Sequence, residues 1–314
     1  MHINSLVAMS LDSLAEMRLS VVDSLGTVAA AACLLEASAI KAGNVHPTAS
    51  FLDMNYDHFR CSAEVIGRTI DEYFLQDGVP SVGECIHEMA SATKRHVGVN
   101  TNLGTLILLG PLLIAANDQP ASRRTRAAFQ SSVSNVLARL DHSDSKSVYQ
   151  SIALVNPGGL GRSSKMDAND DPPVSVLDAM RFVQDKDDVA KQWVTDYETV
   201  FCLADSLDAW NFAYKEEGGS NWLSGIAAIQ IDYLAHNVDS LIARKNGYEV
   251  AMEVQRRAAE LNGLAFPGHL EKEGLWQDFD AFLRADGHRR NPGTTADLIA
   301  AAAFVSLARD ESGA

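Results

Sequence analysis

A polar turn near the carboxyl end of the sequence has the features of an anion-binding helix start. Pro292 and Gly293 allow a tight reversal, and Thr294 is predicted to cap the following helix, with Asp297 in its first turn. A helix start presents free backbone N–H groups and a partial positive charge, which suit a phosphate group. An ordinary capped helix has the same features, and Asp297 is then only a partner of the helix dipole.

Two other polar turns rich in glycine and asparagine occur earlier, at residues 41–47 and 97–104. The second leads straight into an apolar segment that is predicted to be a buried helix. Its amides must be hydrogen-bonded, either by a ligand or by the core, and the sequence leaves both readings open. Their polar and glycine residues are candidates for ligand contacts or proton transfer: Lys41, Asn44 and His46 in the first turn, and Asn100, Asn102 and Gly104 in the second.

Carboxylates close to these turns are candidates for holding a divalent cation or for moving a proton. Asp53 and Asp57 are predicted to lie one turn apart on one helix face, where they either bind a cation or are simply solvated. His58 follows in the same predicted helix, and a satisfied structural histidine is the competing interpretation for it and for His46. The other candidate carboxylates are Glu36, Glu88, Asp239 and Asp297.

The composition limits the classes of partner. The chain has 314 residues and a net charge of −15, which argues against nucleic acid or an anionic membrane surface. A polyanionic ligand would need local Arg or Lys, or a bridging divalent cation such as Mg²⁺. Four scattered cysteines form neither a zinc motif nor a disulfide framework and favour a reduced, cytoplasmic setting. No apolar stretch is long enough to span a bilayer.

Apolar residues recur at helical spacing along most of the chain, and no alternation of period two is found. We therefore predict an all-α fold, a single domain over residues 1–314 with its polar loops gathered at one side. The helices are predicted at residues 11–40, 51–59, 83–96, 105–116, 121–140, 147–154, 221–244, 248–261, 277–285 and 294–309, with two more between 174 and 215. The glycine-rich segment 156–173 is predicted to be a functional loop, but it matches no P-loop or Rossmann motif.

Taken together, these stretches resemble the triphosphoribosyl-dephospho-CoA synthase family, in family order from Glu36 to the last helix. The stretches that carry the resemblance are Glu36 with 41–45, 53–59, 98–104, 157–161, Asp239 with Arg244 and Lys245, and 291–297. The resemblance implies transfer of the triphosphoribosyl group of ATP to the 2′-hydroxyl of dephospho-CoA, with release of adenine. The implied partners are small molecules, and the oligomeric state, including a homo-oligomer, stays open.

Two departures from the family pattern bear on the substrate. Members that serve citrate lyase or malonate decarboxylase carry Lys-Pro-Gly in the first turn and His-Lys-Gly after the Asn-Thr pair. This chain has Lys41-Ala42-Gly43 and Asn102-Leu103-Gly104 instead. The second form is similar to a branch of methanogens and methylotrophs, where the resemblance points to tetrahydromethanopterin-linked cofactor synthesis and one-carbon metabolism. Transfer of a ribosyl-type group to another acceptor, and a non-catalytic scaffold, are the alternatives.

The implied reaction assigns expected roles to the candidate residues. Bond breaking at the ribose C1 builds oxocarbenium character, so the site needs a cation for the triphosphate, a carboxylate and a proton donor. The catalytic candidates are Glu36, Asp53, Glu88, His46 and His58, and the Mg²⁺ ligand candidates are Glu36, Asp53, Glu88, Asp239 and Asp297. The ATP-binding candidates are Lys41, Asn44, Asn100, Asn102, Gly104, Gly158, Gly159, Gly161, Arg244, Lys245, Asn291, Gly293, Thr294 and Thr295.

Overall fold

The most apolar helices of the chain form its centre. The computed structural model describes residues 1–17, 23–155, 175–216, 221–262 and 273–309. The first helices are α1 (Ile3–Val7), α2 (Leu11–Ala15), α3 (Leu25–Ser38), α4 (Tyr56–Phe74), α5 (Val82–Val97) and α6 (Leu103–Asn117). Helices α7 (Arg126–Ala138), α8 (His142–Val155), α9 (Val176–Val183), α10 (Asp188–Val194) and α11 (Glu198–Glu216) follow. The last are α12 (Trp222–His236), α13 (Ser240–Asn246), α14 (Tyr248–Asn262), α15 (Glu273–Arg284) and α16 (Gly293–Ala308).

Helices α3, α6 and α16 are buried on nearly all sides and pack against one another. A helix that is apolar around its whole circumference is stable only inside a protein, so these three form the core and the amphipathic helices cover them. Among the described residues there is no β-strand, and the helices form one compact domain. The predicted all-α fold is therefore confirmed. No helix of the described residues is long and apolar enough to cross a membrane.

A second, smaller apolar cluster lies under the first polar turn. Side chains from α12, α13, α14 and α15 meet there, and Ala42 of the turn is buried among them. This cluster joins the segment that follows α3 to the carboxyl-terminal part of the chain. The residues just after Glu36 are thus enclosed by helices from the last third of the sequence.

Several predicted helices are divided in the structure, each time at a residue that caps a helix. The predicted helix over 11–40 is wrong as a continuous element, because α2 ends at Ala15 and Ser24 caps α3 by accepting a hydrogen bond from the Thr27 N–H at 3.1 Å. The predicted helix over 221–244 is interrupted after His236, and Asp239 caps α13 instead of lying within a helix. Serine and aspartate favour such positions because their oxygens accept the unpaired N–H groups.

Three helices, not the predicted two, lie between residues 175 and 216. The additional break falls at Asp196 and Tyr197, which both have positive φ.

The prediction that Asp53 and Asp57 share one helix face is also wrong. Helix α4 begins at Tyr56, with Asn55 as its cap, so Asp53 precedes the helix and shares no helix face with Asp57. Helix α8 begins at His142, five residues before the predicted start, and α7 begins at Arg126 rather than at 121.

Candidate functional site

Three of the predicted polar stretches meet where the central helices end. The Asn44 side-chain amide donates to Oδ1 of Asn291 at 2.6 Å, which joins the turn after α3 to the start of α16. Thr105, at the start of α6, donates its backbone N–H and its hydroxyl to Oδ1 of Asp297 at 2.9 and 2.7 Å. The carboxyl end of α3 and the amino ends of α6 and α16 therefore surround one polar region.

Asp297 lies just after the first turn of α16, not within it as predicted, and it caps the neighbouring helix α6. Its second oxygen, Oδ2, lies so close to Gly104 that a Cβ atom there would be 2.1 Å away. Among the described residues Oδ2 accepts no hydrogen bond, and both bonds from Thr105 go to Oδ1. Burial, and then the negative charges of Glu36 and Asp239, raise the pKa of Asp297 to about 7 against the effect of the Thr105 hydrogen bonds.

This contact predicts that Gly104→Ala disturbs Asp297 directly. The added methyl group would force the carboxylate away from α6, so we expect a loss of about 1–3 kcal/mol in the free energy of unfolding and strongly reduced activity. Gly274→Ala is the matched control, because a Cβ at this position of α15 meets nothing within 4 Å. Denaturant unfolding of both variants tests the prediction, and equal stability of the two would contradict it.

Glu36 and Lys41 form a buried ion pair at the end of α3. Lys41 Nζ lies 2.9 Å from Oε1 of Glu36, and it also donates to the backbone carbonyls of Glu36 and Ala39. The side chain of Lys41 is fully buried. All three ammonium hydrogens are engaged within the protein, so Lys41 orients the Glu36 carboxylate and has no donor left for a phosphate.

The start of α16 is bound by a carboxylate from a distant part of the chain. Asp239 Oδ2 accepts the Thr295 N–H at 2.8 Å and the Thr295 hydroxyl at 2.7 Å, while Oδ1 caps α13. Thr294 is not the helix cap, contrary to the sequence prediction; its hydroxyl accepts from Ser240 at 3.2 Å. The backbone N–H of Gly293 donates to the Asn291 carbonyl. Most donors expected to face a phosphate at this helix start are thus used internally.

A second carboxylate beside Asp239 was missed at the level of sequence. Burial, and then the charge of Asp239, raise the pKa of Asp188 to about 6. Burial also raises the pKa of Asp239, although three N–H groups and one hydroxyl stabilise its charge. Asp188 stands in the first turn of α10, where an acidic residue is common and gives no functional signal.

His46, near the end of the first turn, has a buried and neutral imidazole ring. It is 4% exposed, its Nδ1 lies 3.1 Å from the Thr48 hydroxyl, and its Nε2 has no partner among the described residues. Burial, together with the nearby cations Arg284 and Lys41, lowers the pKa of His46 to about 4. The ring is therefore uncharged at pH 7 and is a poor proton donor to a leaving group.

Cations gather on the solvent side of Asp239. Burial, and then the charges of Arg244 and Arg289, lower the pKa of Lys245, against the opposing effect of Asp239. Arg244 forms an ion pair with Asp187, and Arg289 donates to the Lys245 carbonyl at 2.9 Å. In a chain with net charge −15, this group is a local concentration of positive charge.

Asp53 lies at the edge of the same region. Its carboxylate is 3.4 Å from Nε2 of His288, and both side chains are about half exposed. The charge of Asp53 also acts on Lys245. The loop that contains Asp53 therefore reaches the cationic group but not the buried carboxylates.

The Asn-Thr-Asn loop packs against α4. Asn100 Oδ1 accepts the Leu103 N–H at 3.1 Å, Asn102 Oδ1 accepts from the Thr101 hydroxyl at 3.1 Å, and Thr101 pairs with Ser62 at 2.6 Å. The loop lines a cavity of about 10 Å³, which is too small for a nucleotide. A larger cleft of about 350 Å³ is lined by Asp57 but by none of the residues predicted to be catalytic or to bind ATP or Mg²⁺.

Two predicted catalytic residues lie apart from this region. Glu88 is exposed on α5 and makes no hydrogen bond or ion pair with the other candidates among the described residues. His58 forms a reciprocal capping pair with Asn55, each backbone N–H donating to the other side chain at 3.2 Å. The glycines of the predicted phosphate loop, Gly158, Gly159 and Gly161, lie outside the described residues.

The donor set fits magnesium only in part. Among the described residues, no three His, Cys, Asp or Glu side chains lie close enough together to hold a metal ion. Mg²⁺ is usually held by one or two carboxylates together with substrate phosphates and water. Glu36 and Asp297 influence each other electrostatically, and these two carboxylates are the hard oxygen ligands that would hold such an ion.

Comparison with known proteins identifies the family of the chain. A family model described as CitG, ATP:dephospho-CoA triphosphoribosyl transferase, matches residues 22–314. A crystal structure assigned as a triphosphoribosyl-dephospho-CoA synthase of Archaeoglobus fulgidus has the same fold, with a TM-score of 0.60 and 21% identity over 80% of this chain and 98% of that one. No curated protein sequence matches the chain. The chain belongs to the CitG family of ATP:dephospho-CoA triphosphoribosyl transferases.

Proposed function

We propose that Glu36 and Asp297 form the reaction centre for the family's transfer from ATP to dephospho-CoA. The observation that carries the proposal is the meeting of three helix ends, where Glu36 and Asp297 influence each other electrostatically and Asp297 Oδ2 accepts no hydrogen bond from the described residues. The bond from the ribose C1 to N9 of ATP breaks, and adenine leaves with the bonding electrons and takes up a proton. The 2′-oxygen of dephospho-CoA bonds to C1 and gives up its proton.

Asp297 is the proposed base for that hydroxyl proton. A carboxyl group with a pKa of about 7 is partly ionised at neutral pH and accepts a proton more readily than an ordinary aspartate. Glu36, held in place by Lys41, is the proposed group that stabilises positive charge on the ribose. Asn44 and Asn291, which are hydrogen-bonded to each other, are the proposed contacts to the ribose hydroxyls.

The triphosphate is proposed to bind at the cationic group of Arg244, Lys245 and Arg289. Its charge would be shared with Mg²⁺, which neutralises phosphate oxygens when bound. In the proposed role, Asp239 supports this site indirectly, because its buried charge stabilises Lys245 in the protonated form.

Magnesium binding is expected to depend on ATP, because the described protein residues supply too few ligands for the metal alone. Titration calorimetry should give no saturable Mg²⁺ binding to the free protein, and saturable binding with ATP present. Glu36→Gln should weaken binding of the magnesium–ATP complex about tenfold. Asp278→Asn, at an exposed position on α15, is the control. Tight Mg²⁺ binding without nucleotide would contradict the proposed ligand set.

The mass of the product tests both the acceptor and the group that is transferred to it. Transfer of the intact group gives dephospho-CoA extended by a ribose with three phosphates. A product that lacks two phosphates, with release of pyrophosphate, would refute triphosphoribosyl transfer.

A second candidate function is ribosyl-type transfer to another acceptor in tetrahydromethanopterin-linked one-carbon metabolism. Asn102, Leu103 and Gly104 favour it, because they replace the His-Lys-Gly expected in members that serve citrate lyase. Adenine release with a pterin-type acceptor, and none with dephospho-CoA, would select this function. A scaffold without catalysis would bind neither nucleotide nor magnesium.

A further inference from the structure

The backbone of the turn between α3 and α4 is held by side chains from α12 and α15. Gln230 is fully buried on α12. Its Oε1 accepts the Ala42 N–H at 2.9 Å, and its Nε2 donates to the Ala42 carbonyl at 2.9 Å and to Oδ1 of Asn44 at 2.7 Å. One amide thus satisfies both backbone groups of Ala42 and fixes the orientation of the Asn44 side chain toward Asn291.

Asp280 and Arg284, one turn apart on α15, hold the next two residues of the turn. Asp280 Oδ1 accepts the Gly43 N–H at 2.7 Å, and Arg284 Nε lies 2.8 Å from both Asp280 oxygens. Arg284 Nη2 donates to the Asn44 carbonyl. The guanidinium also lies over the ring of Phe51, 5.3 Å from its centroid.

Gly43 allows a backbone shape and a close approach to α15 that a residue with a side chain would not tolerate. Its φ of +73° is in the left-handed region, and a Cβ there would approach Leu283 to 2.7 Å. The turn is therefore pressed against α15 while three polar side chains fix its backbone. Lys41 immediately precedes the segment that is held in this way, so the position of the turn also determines how Lys41 meets Glu36.

We propose that Gln230, Asp280 and Arg284 are positioning residues for the transfer reaction. None of them needs to touch the substrate. They fix the backbone of Ala42, Gly43 and Asn44, and through it the orientation of the Glu36 carboxylate and the Asn44 amide. This inference rests on the proposed function of Glu36. Displacements of about 1 Å at a reaction centre reduce turnover by about 100-fold, so a loosened turn must affect kcat.

Steady-state kinetics of Arg284 variants test the inference. Arg284→Met should lower kcat about 10- to 100-fold and leave KM for ATP within about twofold of wild type. Arg284→Lys keeps the charge but cannot reach Asp280 and the Asn44 carbonyl together, so it should recover only part of the loss. Arg256→Met, which removes exposed ion pairs on α14, is the control. An unchanged kcat, or a raised KM with kcat intact, would overturn the positioning role.

Amide hydrogen exchange separates this inference from the proposed function. Asp280→Ala should increase exchange at the Gly43 amide, and Gln230→Met should increase it at the Ala42 amide, whether or not the protein is active. Retained protection at Gly43 in Asp280→Ala would overturn the role of Asp280 in holding the turn. Absence of adenine release by the wild-type protein, with exchange increased as expected, would overturn the proposed function and with it the catalytic reason for holding the turn.

Discussion

Asp297→Asn is expected to abolish transfer and to make the protein more stable at pH 8. Loss of a general base typically lowers turnover about 10²- to 10⁴-fold. Asparagine keeps an oxygen that can accept both Thr105 hydrogen bonds, so the contact between α16 and α6 is preserved. The variant therefore separates the chemistry of the carboxylate from its structural contact.

The sign of the stability change follows from the raised pKa of Asp297. Its pKa is about 7 in the folded protein and about 3.9 in an unfolded chain, so the fold favours the protonated form. This contribution is fully present below about pH 4 and is lost as the pH rises to about 7. An uncharged asparagine does not lose it, and we expect a gain of about 2–4 kcal/mol at pH 8.

Urea unfolding of wild type and Asp297→Asn at pH 5 and pH 8 measures this difference. The stabilisation should be large at pH 8 and small at pH 5. Asp278→Asn, at an exposed position, should change neither stability nor activity. Wild-type turnover in Asp297→Asn would remove this residue from the reaction centre. A difference in stability between variant and wild type that is the same at pH 5 and pH 8 would contradict the raised pKa of Asp297.

Lys41→Met is expected to be the most destabilising single change at the site. It leaves Glu36 buried without its cation and removes the donor to two carbonyls, at a cost of about 3–5 kcal/mol. Adding Glu36→Gln removes the uncompensated charge and should restore most of the lost stability. The double variant should remain inactive, because the carboxylate of Glu36 is absent.

Denaturant unfolding and adenine release are measured on the two single variants and the double variant. Lys186→Met, at an exposed position that makes no side-chain ion pair in the described structure, should change stability by less than about 0.5 kcal/mol. A folded and active Lys41→Met variant would show that the role of Glu36 in the reaction does not depend on its ion pair with Lys41. Activity in the double variant would show that transfer does not need the Glu36 carboxylate.

The sequence identified the helical fold and the polar turns because both leave local patterns. The apolar runs of α3, α6 and α16 predict buried helices, and glycine with asparagine predicts the turns between them. The breaks inside the predicted helices were harder to place, since Ser24 and Asp239 act as caps only when their oxygens meet a free N–H group. The paired positive φ values at Asp196 and Tyr197 leave little sequence signal, because aspartate tolerates such a φ but tyrosine rarely adopts it.

The composition of the site was predictable only in part, because its hydrogen bonds join distant residues. Thr294 has the sequence of a helix cap, yet the carboxylate that binds the start of α16 comes from Asp239, 56 residues earlier. Gln230 and Arg284 contact the turn across 188 and 240 residues of chain. A glutamine within an apolar helix is the one local sign that could have pointed to such a contact, because a buried amide needs partners.

Adenine release is the most direct test of the central claim. The purified protein is incubated with Mg²⁺ and ATP, with and without dephospho-CoA, and free adenine is measured by chromatography. Adenine should form only in the complete mixture, in amounts equal to the extended dephospho-CoA product. No adenine in the complete mixture, with folded protein that still binds magnesium and ATP, would contradict transfer to dephospho-CoA by this chain.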